Sequence, residues 1–285
     1  MSRIRRLLLA AAVVALAVVA LDAALSSSAV DRSREGAATP SPRGLPPHAA
    51  AIVADAGDGE VLYADHAHRP LLIASTAKLM TALVTLERAP LDAVFAAPAY
   101  GGDPSESRLG LATGERMRVD DLLRGLLLAS GNDAAVTLAV GVAGSEGAFV
   151  ALMNERAREL GMRDTRYGNP IGLDAGTRSS AADLVTVTRE LRRHDFFRAT
   201  VATRELTLGS GAWRRTLHNT NRLLGGALRV DGVKTGHTDA AGYVLVGSAT
   251  RGGRAVVSAV LGTRSEADRD EATVRLLRYG LRRLR

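Results

Sequence analysis

Ser75 and Lys78, three residues apart in Ala74-Ser-Thr-Ala-Lys78, are residue types that together make an activated nucleophile. A serine hydroxyl attacks a carbonyl only when a base takes its proton, and a lysine amine becomes such a base once burial or a second cation destabilises its ammonium. On a helix these two side chains share a face. At a helix start, free backbone N–H groups also favour negative charge developing on an acyl oxygen. Composition sharpens the assignment. The chain has 37 basic residues besides histidine, and only Lys78 and Lys234 are lysine. Arginine keeps its proton near neutral pH and cannot take this role.

Lys234 lies in Val233-Lys-Thr-Gly-His-Thr238, at the predicted end of a strand. Gly236 there lets another backbone approach closely. A peptide laid beside such a strand can bring its terminal carboxylate to Lys234 and the Thr235 hydroxyl, and Lys234 can also be the cation that acts on Lys78. A third fragment, Ser130-Gly131-Asn132, separates two apolar helical runs. It reads either as a helix cap or as a hydroxyl that passes a proton to a leaving amine, with an amide that holds a substrate carbonyl. Ser-x-x-Lys, Ser-x-Asn and Lys-Thr-Gly are weak singly. In this order, and carrying both lysines, they are specific.

The elements that must position these groups follow from periodicity. Ala49 to Ala54 and Glu60 to Ala64 read as a strand hairpin around the Asp55–Gly59 turn. Ser75 to Leu86, Val119 to Ala129, Phe149 to Leu160 and Ala181 to Arg193 have helical spacing, and Asp133 to Ala143 is apolar nearly all round, as in a buried helix. Val201 to Leu208 and Trp213 to Leu217 read as extended. Leu228 to Lys234, Gly242 to Ala249 and Arg254 to Leu261 read as strands, and Ser265 to Arg283 as a closing helix. Strands at both ends with helices between them predict one sheet containing both termini and an inserted helical lobe. Arg3, Arg5 and Arg6 precede an unbroken apolar run from Leu7 to Leu21. Residues 1–29 are therefore expected to be a signal peptide or N-terminal membrane anchor, with the domain delivered outside the cytoplasm. Residues 30–48, rich in Pro, are expected to be a linker.

With these motifs the sequence resembles the serine D,D-peptidases of the low-molecular-mass penicillin-binding protein type, which share a fold with the serine β-lactamases. The likeness covers roughly residues 48–283 and includes GLLLASGNDAAVTL (125–138), GNPIGLD (168–174), NTNRLL (219–224) and VDGVKTGHTDAAGY (230–243). It implies an α+β, β-lactamase/transpeptidase-like fold: an antiparallel sheet with terminal helices packed on it and an inserted all-helical lobe. It implies that Ser75 is acylated with Lys78 as base, that Ser130 passes a proton, and that Asn132 orients substrate. Lys234 and Thr235 would receive the terminal carboxylate, and the backbone N–H groups of Ser75 and His237 would form the oxyanion hole. The implied reaction removes the terminal D-Ala of a peptidoglycan stem peptide through an acyl-enzyme, without metal or cofactor, and β-lactams would acylate the same serine. The sequence departs from the family at Ile73, often Pro in relatives, at Arg178, and in Ser105–Leu111, which is not the usual Gly- and Ser-rich form. The catalytic domain is expected over 49–285, without a second C-terminal β domain.

Other functions fare worse. A serine β-lactamase of one class needs a Glu-x-x-x-Asn loop, and no such spacing occurs from Arg156 to Asn169. A catalytically silent peptidoglycan- or penicillin-binding protein would not need intact motifs. Asp65, His66 and His68 have ligand-like spacing, but in a turn before the nucleophile, where surface histidines are ordinary. Cysteine is absent, which removes thiolate metal sites and cysteine nucleophiles. The net charge of +7 comes with only 4% aromatic residues and no array that alternates stacking and basic groups, so no nucleic acid partner is expected. The charge, concentrated at Arg275, Arg278, Arg282, Arg283 and Arg285, fits anionic lipid heads or wall polymers, or a simply solvated helix face. Carboxypeptidase and endopeptidase preferences stay open at this level.

Overall fold

Both ends of the folded chain enter one antiparallel sheet. The structure, a computed structural model, describes residues 42 and 44–284. The expected leader (1–29) and most of the linker lie outside the described residues. Ala50–Asp55 (β1) is buried along almost its whole length and turns back into Val61–Asp65 (β2). Asp55 accepts the Gly57 N–H and Asp58 the Glu60 N–H, the turn chemistry that the Asp-Ala-Gly-Asp-Gly run encodes. Leu71–Leu72 (β3) leads through a 3-10 turn, Ala74–Ala77, into Lys78–Arg88 (α1). Val94–Ala96 (β4) pairs with Arg116–Arg118 (β5) ahead of three helices, Val119–Leu128 (α2), Asn132–Ala143 (α3) and Glu146–Glu159 (α4). Arg178–Ser179 (β6) pairs with β3, and Ala181–Leu191 (α5) and Asp195–Ala202 (α6) follow. Glu205–Thr207 (β7) and Thr216–His218 (β8) form a small hairpin. Val230–Thr238 (β9), Gly242–Arg251 (β10) and Arg254–Thr263 (β11) complete the sheet in the order β2-β1-β11-β10-β9, and Glu266–Arg283 (α7) closes the chain.

The two faces of the sheet are covered by different parts of the chain. Helix α7 starts at Ser265, whose hydroxyl accepts the Asp268 N–H at 3.0 Å, with Glu266 and Asp268 in the first turn and Arg282 and Arg283 in the last, as the helix dipole favours. Its Ala272, Leu276, Leu277 and Leu281 pack with Val53, Val256 and Val260 of the sheet. Gly280 allows this approach, because a Cβ there would stand 2.8 Å from Val53 Cγ2. The opposite face packs against the helical lobe, where Ile52 and Val246 meet a core that includes Leu79, Leu83, Leu122, Leu126 and Leu138. Helix α3 is buried over most of its length, as its apolar pattern predicts. The fold is the expected α+β arrangement.

Two elements after residue 190 differ from expectation. Val201 ends a helix rather than opening a strand, and strand β7 begins only at Glu205. Phe197, Thr200 and Val201 are buried together at i, i+3 and i+4, a helical period that the alternating Val-Ala-Thr-Arg-Glu-Leu tail concealed. Strand β9 does not end at Lys234 but continues to Thr238, because pairing with β10 runs through Gly236↔Val244 and on to Thr238↔Gly242.

A buried ion pair braces the 105–111 segment, one of the places where the sequence departs from the family it resembles. Arg215 Nη1 lies 2.7 Å from Glu115 Oε1, while its Nε and Nη2 donate to the carbonyls of Leu109 and Gly110. Glu115 also accepts the N–H groups of Ala212 and Ala112. Burial alone would raise the Glu115 carboxyl, but the hydrogen bonds from Arg215 and these amides outweigh it and hold the group down at about 2, against an ordinary 4.5. A carboxyl held down in the folded state stabilises the fold above its unfolded value and loses that contribution as pH falls through the folded one. Between about pH 4.5 and 2 the wild type should therefore lose roughly 3 kcal/mol from this group. Urea unfolding across that window checks it: the Arg215→Ala variant should be less stable near neutrality, with the gap to wild type closing as the pH falls.

Candidate active site

The Ala74–Ala77 turn has three residues per turn, so positions i and i+3 eclipse each other. Ser75 and Lys78 therefore lie one above the other, with Lys78 Nζ 2.8 Å from Ser75 Oγ. The α-helix begins at Lys78, three residues later than expected, and Ser75 occupies the tighter turn that precedes it. Ala74 has φ 45°, a left-handed value that a non-glycine residue adopts only where its surroundings enforce it.

Lys78 is fully buried. Its Nζ lies 2.6 Å from Asn132 Oδ1, 3.3 Å from Ile171 O and 3.5 Å from Ser130 Oγ. The Asn132 and Ile171 oxygens can only accept. A neutral amine has two N–H bonds and one lone pair, so donation to these two oxygens leaves the lone pair for the Ser75 hydroxyl proton. Burial, and secondly the charge of Lys234, push the Lys78 ammonium well below its ordinary proton affinity, while the carboxylates of Glu106 and Asp133 oppose them. The chemistry required of a base is thus built from its surroundings.

The loop before α3 presents the second group. Ser130 has φ 61° and is buried, and Asn132 opens the helix with its backbone N–H donating to Ser107 O. No side chain caps α3 from its N-cap residue, but the fragment does close α2, with Ser130 left-handed after the helix and the Gly131 N–H donating to Gly125 O, so it ends a helix and presents Ser130 and Asn132 at once. Asp133 instead accepts the N–H groups of Leu109 and Leu111, which fastens the 105–111 segment against α3.

Strand β9 supplies the third. It is an edge strand of the sheet. Lys234 is buried and donates to Thr235 O at 3.0 Å, and burial lowers its ammonium to about 7. The Thr235 hydroxyl lies 2.7 Å from that of Thr220. A Cβ on Gly236 would stand 3.0 Å from Ile73 O and 3.2 Å from Ser75 N, so glycine brings the strand against the turn that carries Ser75. The His237 ring stacks on Tyr243 at 4.0 Å, and the buried Arg269 guanidinium, paired with Glu266 and Asp270, lies 5.9 Å from the centre of the Tyr243 ring.

An open cleft of about 940 Å³ joins these elements. Ser75, Ser130, Asn132, Thr235, Gly236 and His237 line it, and the two lysines lie buried beneath. The structure thus brings all eight expected residues together. The sequence reading missed Glu106, Tyr100, Thr220, Arg269 and the carbonyl of Ile171. The departure noted in 105–111 flags Glu106, but nothing in residue type separates Arg269 from its many arginine neighbours. The ligand-like histidines are exposed and take separate partners, His66 with Asp65 and His68 with Asp164.

Comparison with known proteins agrees with this geometry. A model of the D-alanyl-D-alanine carboxypeptidase family, peptidase S11, matches residues 46–265. D-alanyl-D-alanine carboxypeptidase DacF of Bacillus subtilis (strain 168) is 34% identical over 236 residues, which span 80% of this chain and 61% of that protein. The chain therefore covers less than two thirds of that relative's length. The crystal structure of penicillin binding protein 6B from Escherichia coli superposes with a TM-score of 0.79 at 33% identity, over 86% of this chain and 80% of that one. Penicillin-binding protein D2 from Listeria monocytogenes, in its ampicillin-bound form, superposes with a TM-score of 0.73 at 33% identity, over 81% and 96% of the two chains.

Proposed function

The chain belongs to the peptidase S11 family, the D-alanyl-D-alanine carboxypeptidases, and on that premise we propose that it is a serine D,D-carboxypeptidase acting on peptidoglycan stem peptides through a Ser75 acyl-enzyme. The observation that carries the proposal is the buried Lys78 amine at 2.8 Å from Ser75 Oγ, with two obligate acceptors taking its N–H bonds. Lys78 accepts the hydroxyl proton as Ser75 Oγ bonds to the carbonyl carbon of the penultimate D-Ala. The developing oxyanion takes hydrogen bonds from the backbone N–H groups of Ser75 and His237. The peptide C–N bond then breaks, and the proton reaches the departing amine of the terminal D-Ala through Ser130. Water hydrolyses the ester and restores Ser75.

Substrate binding follows the same layout. The peptide lies along the open edge of β9, with the Asn132 amide on a backbone carbonyl and the terminal carboxylate at Lys234 and Thr235. A bound carboxylate favours the ammonium form of Lys234, whose proton burial alone holds only loosely. A β-lactam presents a carboxylate and a strained amide in the same places and acylates Ser75. The reaction belongs outside the cytoplasm, where peptidoglycan lies and where the basic, apolar N-terminal segment would direct the domain.

Mass spectrometry after incubation with a penicillin tests the proposal. Wild type should gain the mass of one intact penicillin, and Ser75→Ala should gain none. The same wild-type protein should release D-Ala from a peptide ending in D-Ala-D-Ala. An unlabelled wild type that leaves the peptide intact would overturn the assignment, and rapid turnover of the penicillin would make the protein a β-lactamase instead.

A further inference from the structure

The segment from Tyr100 to Leu111 forms one lip of the cleft and carries a carboxylate that touches the catalytic groups. Glu106 Oε2 accepts the Asn132 Nδ2–H at 2.8 Å and also the Tyr100 hydroxyl, and Oε1 accepts the Asp103 N–H at 3.2 Å. Asn132 Oδ1 is the closest partner of Lys78 Nζ. Tyr100, Glu106, Asn132 and Lys78 thus form one continuous chain of hydrogen bonds. A carboxylate only accepts, so it draws the amide nitrogen of Asn132 to itself and leaves the amide oxygen for Lys78. A reversed amide would set an N–H donor against the amine and compete for the lone pair that must take the Ser75 proton.

Charge gives a second reason for the residue. Lys234 from β9, Asp133 from α3 and Glu106 from the lip act on Lys78, the 169–172 loop offers it only a carbonyl, and Arg108, also on the lip with its guanidinium 5.0 Å from the centre of the Tyr100 ring, acts on Glu106. Asp133 is committed to the backbone N–H groups of Leu109, Leu111 and Ala134. Glu106 is the carboxylate that reaches the catalytic amide. Burial would raise it, but hydrogen bonds from Tyr100 and Asn132 hold it below the ordinary range, so it is charged near neutrality. Tyr100, pushed up to about 12 by burial and by its bond to Glu106, stays a donor.

We propose that Glu106 is a positioning residue, which locks Asn132 with its oxygen on Lys78 and whose negative charge tempers the mutual repulsion of Lys78 and Lys234. This rests on Lys78 being the base for Ser75. With the charge gone, Lys78 binds its proton less tightly and its neutral form persists to lower pH. The acid limb of the acylation rate then moves in the acid direction.

The test is the pH profile of the second-order rate of acylation by a fluorescent penicillin, with folding followed by thermal melting. Glu106→Gln keeps an acceptor oxygen for Asn132 but loses the charge, and its acid limb should move down by about half a pH unit or more. Glu106→Ala loses the bond as well, and its plateau rate should fall about tenfold besides. Glu106→Asp keeps the charge, and its limb should stay close to the wild-type position. A folded Glu106→Gln whose limb is unmoved, or moves to higher pH, overturns the proposal. Should that variant melt below the assay temperature, Glu106→Asp and Tyr100→Phe decide: a limb shifted acidward in Glu106→Asp as far as in Glu106→Ala, with Tyr100→Phe unchanged, overturns it too. A wild type that is never acylated would sink the assignment of Lys78 itself, a different outcome from an unmoved limb.

Discussion

Lys78→Arg should leave Ser75 unacylated, with the rate of labelling by penicillin down at least a thousandfold, on the order of what a lost general base costs. Charge is conserved in this variant; what disappears is the ability to be neutral. In the wild type, burial and the neighbouring Lys234 make the ammonium easy to deprotonate. A guanidinium in the same surroundings keeps its proton and has no lone pair aimed at Ser75 Oγ. Arginine is also larger than the fully buried side chain it replaces, so a melting curve should accompany the measurement. Lys78→Ala separates the two effects. It removes the base without crowding, and small alkylamines in the buffer should restore part of its acylation while guanidine should not. Retained labelling in folded Lys78→Arg would refute Lys78 as the base.

Gly172→Ala should be the most damaging substitution of a residue that has no reactive group. Gly172 has φ +87°, and a Cβ there would lie 2.0 Å from the carbonyl oxygen of Ala74 and 2.8 Å from Ala77 Cβ. The obstacle is backbone of the turn that carries Ser75, so no side-chain rotation relieves it. Asn169 Oδ1 accepts the N–H groups of both Ile171 and Gly172, and Ile171 O faces Lys78. Pushing this loop away from the turn pulls the acceptor from Lys78 and displaces Ser75 together. The expected loss is roughly 2–4 kcal/mol of stability from the clash and the left-handed backbone. Acylation should also slow about a hundredfold, as misplacement of about 1 Å does in a positioned site. Urea unfolding and labelling kinetics check the two parts. A variant with wild-type values in both would show that the loop and the turn are not coupled.

Much of this site is legible in residue type and spacing. A chain that uses arginine almost everywhere keeps lysine at two places, and both are buried under one cleft. Ser75 and Lys78 meet because three residues make one turn of a 3-10 helix, which is local geometry and can be read from spacing alone. The strands around Val53, Val246 and Val257 and the buried helix α3 follow from apolar periodicity, since burial on both faces or all round leaves continuous apolar runs. What periodicity could not resolve was the helix ending at Ala202 and the continuation of β9 past Lys234, because short segments carry too few repeats and pairing partners lie far away in sequence.

The chemistry of the chain was therefore present in its order of residues: a hydroxyl, an amine able to lose its proton, a second hydroxyl with an amide, and a second amine on a strand. Whether the first amine would lose its proton was decided only by the tertiary structure. Proton affinity depends on burial and on charges within a few ångströms, and Lys234, Asp133 and Glu106 reach Lys78 from three separate elements. The same holds for Glu106 and Gly172. Their neighbours in space are Asn132 and Ala74, 26 and 98 positions away along the chain, and only folding brings such groups together.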